Sequence, residues 1–397
     1  MSIPLYEELA IGNAPRTPGE LAADTAVLGD LAATMRQARD HMVGFPVNLD
    51  FDYRHLAEYL AVHGNNAGSP CGSSQYHLHT KPFERAVIDF FAGLAGAPSG
   101  AAFGYVTNGG TESNLFGAYL GRERYPDAVL YASAEAHYSI PKIARLLRMD
   151  HQPVATDAEG AMDLRALEAA CRTHAPRAAV VVATIGTTGK GAVDDLPGLR
   201  HVLETAGVER VHLHADAAFG GLLAALAPRP RPWGFDAGAD SIAISGHKMI
   251  GAPVPCGIVL ARPDHVEGIR ADDAAVGADD DTISGSRDAL SPLFLWYELR
   301  RLGRDGLTRR VRHCLRTAEY AATRLRALGR NPVRPPHGNT VLFDAPDQAV
   351  CDRWNLLHED GRAHLIAMPH VTREDIDRLC ADLPRPGPVP AARTGRC

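Results

Sequence analysis

The chain has 397 residues, room for about two to three domains and for a large core without disulfide staples. It is 45% hydrophobic and 22% charged, which excludes a disordered, collagen-like or coiled-coil protein. Its 41 basic and 47 acidic residues leave a formal charge of −6, so neither nucleic acid nor an anionic membrane surface is an expected partner.

The opening MSIPLYEELAIGNAP has early acids and lacks the basic and apolar segments of a secretory signal. No later apolar run approaches the ~20 residues that cross a bilayer. The seven cysteines are scattered and include no CxxC pair, so reduced thiols in a cytoplasmic protein are expected. Residues 1–60 read as an N-terminal extension. Within them ELAADTAVLGDLAATMRQARDHM has helical spacing, and Phe45–Pro46 ends that pattern.

Residues 61–300 alternate short apolar runs with helical patterns. FGYVT (103–107), AVLYAS (128–133), AAVVVATI (178–185), VHLHAD (211–216) and SIAIS (241–245) are predicted strands. GIVLAR (257–262) follows SIAIS so closely that it could run antiparallel. Strands alternating with helices predict a wound, mostly parallel α/β sheet, with any ligand at the strands' carboxyl ends. From about 291 the pattern is a long helix broken near Gly303–Gly306. A smaller C-terminal α/β domain (301–383) follows, with strands in NTVLFDAP and HLIAMP. The Pro- and Arg-rich residues 384–397 are expected to form a mobile tail.

Several residues on the predicted rim could carry chemistry. Asn108–Gly109–Gly110–Thr111 follows a strand and opens a helix, so free N–H groups there could seat a phosphate. By itself the fragment reads slightly more readily as a tight turn capped by Thr111. Alternation puts His212, His214 and Asp216 on one strand face, which invites a metal site. Residues i and i+4 on a strand lie ~13 Å apart, which argues against a shared ion. Asp216 at the strand end could instead pair with a ligand cation. Lys248 stands just beyond a buried strand, where burial would lower its pKa and make it a good Schiff-base nucleophile; alone it reads as a surface loop lysine. His137, between a strand and a helix, could stack on a flat ring or simply hydrogen-bond its loop. Residues 281–287, DTISGSR, make an anion-friendly loop or a turn before the long helix.

Together these residues supply a phosphate seat, a stacking imidazole, a partner for a ring nitrogen and an amine for an aldehyde. Those match the four parts of pyridoxal 5′-phosphate. The runs TNGGTESN, HYSIPKIARLLRM, IGTTGKGAVDDL, HADAAFGG, ISGHKMIGAPVPCG and TISGSR occur in that order. They resemble the group II pyridoxal-phosphate decarboxylases, in particular the bacterial histidine decarboxylase branch with the plant serine decarboxylases beside it.

The resemblance implies a fold-type-I, aspartate aminotransferase-like subunit and a homodimer with sites at the interface. It implies Lys248 as the Schiff-base lysine, Asp216 holding the pyridine nitrogen protonated, and His137 stacked on the ring. Gly110 and Thr111 would seat the phosphate with Ser245 and His247. Ala218 would pack the other ring face, and Thr187 would lie near the ring oxygen or the substrate carboxylate. Ser286 and its loop would reach the neighbouring subunit's phosphate. No metal is implied. The expected reaction is α-decarboxylation of an L-amino acid, histidine first. Where relatives often read NNxGDP, this chain has NNAGSPCGSS, and Cys71, Ser73 and Ser74 leave serine or an aliphatic amino acid such as valine open. Rival readings are another reaction on the same cofactor (an aminotransferase, lyase or oxidative deaminase), and a metal-dependent hydrolase using His212, His214 and Asp216, or His77 and His79.

Overall fold

The computed structural model describes residues 9–73, 75–273, 278–336 and 338–383. Ser74 and the expected tail 384–397 lie outside the described residues. Strands β1 (Phe103–Thr107), β2 (Val129–Ser133), β3 (Asp150–Val154), β4 (Ala179–Thr184), β5 (Val211–Asp216), β6 (Ser241–Ser245) and β7 (Gly257–Ala261) form one seven-stranded sheet, ordered β1-β7-β6-β5-β4-β2-β3. All pairs from β6 to β3 are parallel, whereas β7 runs antiparallel to both β6 and β1. Every residue of β1, β2, β4, β6 and β7 is buried, as expected of strands covered on both faces.

The helices of this part are α1 (Pro18–Arg39), α2 (Lys81–Leu94), α3 (Gly110–Arg124), α4 (Ser139–Leu147), α5 (Leu164–His174), α6 (Leu196–Thr205), α7 (Gly221–Leu226) and α8 (Pro263–Val266). Helix α1 starts on a capping box: the Glu20 N–H donates to Thr17 Oγ1, and the Thr17 N–H donates to Glu20 Oε2. It has no buried residue, and Leu21, Leu28, Leu31 and Met35 on it are exposed. Helix α9 (Leu290–Ala327) is two helices joined at Gly303, whose φ of +58° interrupts the ladder. Strands β8 (Ala271–Asp273) and β9 (Ala278–Asp280) form a separate ribbon. At the C-terminal end, β10 (Thr340–Asp344), β11 (His358–Glu359) and β12 (Arg362–Ile366) form a second sheet, with α10 (Gln348–Arg353) and α11 (Arg373–Asp382) beside it. Its buried Val341, Phe343, Ala363 and Leu365 belong to the same core cluster as Val311, Ala318 and Leu325 of α9.

The expected strands are present, and β7 is the antiparallel one. Strand β3 was not expected, because DHQPV is polar and carries a proline. It sits at the sheet edge, where a missing N–H costs least. The six cysteines of the described residues are all free. Among those residues no helix is long and apolar enough to cross a membrane.

Candidate active site

A cavity of about 290 Å³ opens at the carboxyl ends of β5 and β6, beside the start of α3. Its wall includes Gly110, Thr111, His137, Asp216, Ala218, Ser245, His247 and Lys248. Eight of the ten expected cofactor-site residues therefore meet at one place, although Gly110 and Lys248 lie far apart in sequence.

The floor at one end is the start of α3. Gly109 precedes it with φ +141° and ψ 173°, a conformation open in practice to glycine alone. The first intrahelical bond is Ser113 N–H to Gly109 C=O, so the amides before it have no intrahelical partner. A Cβ on Gly110 would stand 2.9 Å from Ser245 Oγ and 3.4 Å from the Ala218 Cβ, so a glycine keeps this corner open. Glu112 shares the first turn but is turned back: Asn108 donates to it through its backbone N–H at 2.9 Å and its Nδ2 at 2.7 Å. Its other oxygen accepts from Ser284 Oγ at 3.2 Å. Amides and a small cradle, with the local acid diverted, suit a dianionic phosphate.

Asp216 ends β5 and is 5% exposed. Its Oδ1 accepts from the Ala218 N–H at 3.2 Å, and its Oδ2 from Asn114 Nδ2 at 2.8 Å. His137 is partly buried; its Nδ1 lies 2.7 Å from Ser139 Oγ, and burial lowers its pKa against the opposing pull of Asp216. The exposed Tyr138 ring packs beside it, with centroids 4.2 Å apart.

Lys248 belongs to a single wide turn, Gly246–Ile250, between the antiparallel β6 and β7. Its own φ of −85° and ψ of −106° break the helical path there. Burial lowers the pKa of its amine, and nearby Asp216 partly restores it. Nζ lies 5.9 Å from the centre of the Phe219 ring. The turn is held from behind by residues the sequence reading did not single out. Asn48 Nδ2 donates to the carbonyls of Met249 (3.1 Å) and Ile250 (3.2 Å), and Tyr53 donates to that of Gly251 (3.1 Å). Arg310, paired with buried Glu298 at 2.7 Å, also donates to the Ile250 carbonyl. His247 Nδ1 is anchored 2.8 Å from the Cys256 carbonyl, and burial lowers this imidazole's pKa too.

Two expected residues are not in the wall. Thr187 is 1% exposed, and its hydroxyl accepts from the Ala192 N–H at 3.0 Å; its neighbours Gly186 and Thr188 line the cavity instead. Ser286 accepts from Asn65 Nδ2 at 3.1 Å, outside the wall, and Ser284 of the same loop is the one that reaches Glu112. Cys71 Sγ accepts from Arg85 at 2.8 Å and is likewise absent from the wall.

The metal-hydrolase reading is corrected by the donor set. Both ring nitrogens of His212 and of His214 are already engaged in hydrogen bonds beneath the sheet. Among the described residues, no three of His, Cys, Asp and Glu are grouped to hold a metal, and His79 instead accepts from the Lys81 N–H.

A family profile, the pyridoxal-dependent decarboxylase conserved domain, matches residues 79–334. The histidine decarboxylase of Mesorhizobium japonicum is 40% identical over 357 residues, covering 90% of this chain and 96% of that protein. Serine decarboxylase 2 of Oryza sativa subsp. japonica is 36% identical over 385 residues, covering 96% and 82%. Among solved structures, L-methionine decarboxylase from Streptomyces sp. 590 shares the fold with a TM-score of 0.87 at 24% identity, covering 95% of this chain and 96% of that one. The chain belongs to the pyridoxal-dependent decarboxylase family and is a pyridoxal 5′-phosphate-dependent carboxy-lyase acting on an amino acid.

Proposed function

We propose that this enzyme converts L-histidine to histamine and carbon dioxide, with Lys248, Asp216 and His137 as its central residues. The observation that carries the substrate is the 40% identity to histidine decarboxylases from several bacteria over most of the chain. The reading of the residues rests on their convergence in one cavity.

The residues present fit the cofactor. The α3 amides with Ser245 and His247 would hold its phosphate. Lys248 would be linked to its aldehyde carbon, and burial favours the unprotonated amine that linkage requires. Asp216, already accepting two N–H donors, would accept a third from the ring nitrogen. His137 and Ala218 would bracket the ring. Bound there, pyridoxal 5′-phosphate supplies the electron sink for the pair left when the carboxylate departs. The residues of the wall would orient the substrate for loss of its carboxylate as carbon dioxide, and His137, Tyr138 and Lys248, all in that wall, would be the candidates to return a proton to Cα.

We further propose a homodimer in the cytoplasm with sites at the interface. Helix α1, which buries none of its own residues and leaves Leu21, Leu28, Leu31 and Met35 exposed, is the feature that favours a second copy. The test incubates purified protein and pyridoxal 5′-phosphate with the common L-amino acids and follows them by mass spectrometry, beside Lys248→Ala. Histamine as the one new amine, absent with the variant, is expected. Ethanolamine or an aliphatic amine would move the substrate to serine or valine, and a keto acid or aldehyde would overturn the reaction. Amine formation by Lys248→Ala would remove the role given to that lysine.

A further inference from the structure

Beneath the sheet, an unbroken file of buried polar groups leads away from Asp216. Asn114 Nδ2 donates to Asp216 Oδ2 at 2.8 Å, and Asn114 Oδ1 lies 3.0 Å from His214 Nε2. His214 Nδ1 lies 2.8 Å from Ser241 Oγ, and Ser241 Oγ is also 2.8 Å from His212 Nε2. His212 Nδ1 lies 2.9 Å from His265 Nδ1. His212, His214 and Ser241 are 0% exposed, and Asn114 is 2% exposed.

The donors in this file can be assigned from one end. A carboxylate only accepts, so Asn114 must present its NH2 group to Asp216 and its carbonyl to His214. His214 then carries its hydrogen on Nε2, and its bare Nδ1 accepts from the Ser241 hydroxyl. Ser241 in turn accepts from His212 Nε2–H, and the bare His212 Nδ1 accepts from His265 Nδ1–H. Each link has one donor and one acceptor, and every donor points toward Asp216. All three imidazoles are neutral in this arrangement. That agrees with burial, which pushes the His214 pKa down to about 4 and that of His212 well below its ordinary value.

We infer that Asn114 and His214 are positioning residues for Asp216, and that the file from His265 to Asn114 is a one-way donor chain polarising that carboxylate. Aligned hydrogen bonds in a dry interior strengthen one another, so the last donor, Asn114, is stronger than an isolated amide. The chain also closes the His265 side of Asp216 to protons. An amide passes no proton without converting to its imidic form, so Asn114 transmits polarisation and blocks a proton arriving from the His265 end. The carboxylate is thereby held and aimed, as pairing with a ring nitrogen requires. The titratable and charged groups nearby are Lys248 and His137 at the Asp216 end, Arg200 and Arg124 toward His212, and Asp240, Arg262 and Asp264 around His265. The backbone is shaped for this chain: α3 has Gly117 against the His214 ring, and a Cβ on Gly121 would stand 3.1 Å from His212.

This inference rests on Asp216 serving the ring nitrogen, so the test includes Asp216→Ala. Asn114→Ala, His214→Phe, Ser241→Ala and the conservative His214→Gln are compared as full-length proteins. The readouts are apo-enzyme affinity for pyridoxal 5′-phosphate, the pH titration of the bound cofactor's visible band, and kcat against KM. Asn114→Ala should weaken cofactor binding by about tenfold or more, His214→Phe less, and Ser241→Ala by about two- to threefold. The band's titration should shift in the same order, kcat should fall with KM nearly unchanged, and His214→Gln should recover part of the loss. Wild-type affinity and titration in both Asn114→Ala and His214→Phe would overturn the inference, provided Asp216→Ala alters them. A silent Asp216→Ala would overturn the role of Asp216 and this inference with it. Should His214→Phe fail to fold, Asn114→Ala against Ser241→Ala decides by the same ordering.

Discussion

The backbone of Gly117 rests directly against the imidazole of His214, so that a methyl group on the glycine would overlap the ring. Helix α3 is thus packed onto β5 with only the His214 ring between the two backbones at this point. The same helix offers its first turn to the cavity, and the helix–strand contact fixes the height of that turn above Asp216.

Gly117→Ala should therefore be costly in spite of alanine's better helix propensity. Overpacking here is expected to remove about 2–3 kcal/mol of stability, read from denaturant unfolding of the apo-enzyme. A variant as stable as the parent would mean that α3 can slide on the sheet at little cost.

Asn48→Ala should loosen the turn that carries Lys248. Two carbonyl contacts are lost, those of Met249 and Ile250, and only the second keeps another donor, Arg310. The expected loss is about 1–2 kcal/mol, with a several-fold drop in kcat. Unchanged kcat alongside reduced stability would confine Asn48 to a structural role.

Acid should weaken the apo-enzyme through His214. Burial lowers its pKa from 6.5 to about 4, so between those values the unfolded chain holds a proton that the folded one does not. Stability from this group is intact above about pH 6.5 and falls as the pH drops toward 4, by at most about 3 kcal/mol. Asp194, raised by burial to about 6, acts in the opposite sense over part of that range. The difference between the parent and His214→Gln isolates the histidine: the gap in unfolding free energy should narrow as pH falls from 6.5 to 4. A gap independent of pH would contradict the neutral buried imidazole.

Gly109→Ala should act on the cofactor and not on the substrate. Its φ of +141° strains any side chain by about 1–3 kcal/mol, and relief of that strain would displace the α3 amides. The pyridoxal 5′-phosphate concentration needed for half activity should rise about tenfold while the KM for the amino acid stays put. An effect on KM alone would move the phosphate seat elsewhere.

Strands buried on both faces, such as AVVVAT in β4, announce themselves by composition, and the break at Gly303 is marked by its glycines. Polar β3 carries no such mark. Lys248, Asp216 and His137 stand out only in company: each alone reads as an ordinary loop or strand-end residue, and their order along one predicted rim is what marks them. Asn114 and Asn48 do not stand out, because an asparagine in a helix or loop looks the same whether it faces water or a buried partner. Asn114 meets Asp216 across 102 residues and Asn48 meets Met249 across 201, and only the folded chain pairs them. Nor does the sequence show that the Thr187 hydroxyl accepts from the Ala192 N–H of its own loop.

Strand β1 stands at the edge of the main sheet, and its one neighbour there is β7, with Phe103 opposite Ala261 and Thr107 opposite Gly257. The proposed phosphate seat follows β1, while the turn that carries Lys248 precedes β7. During synthesis the first of these leaves the ribosome long before the second, and neither wall has its partner until Ala261 has emerged. Nascent chains shorter than this have no assembled pocket with which to draw on the cell's pyridoxal 5′-phosphate. Cofactor binding to so late-assembled a pocket would stabilise a finished subunit by mass action.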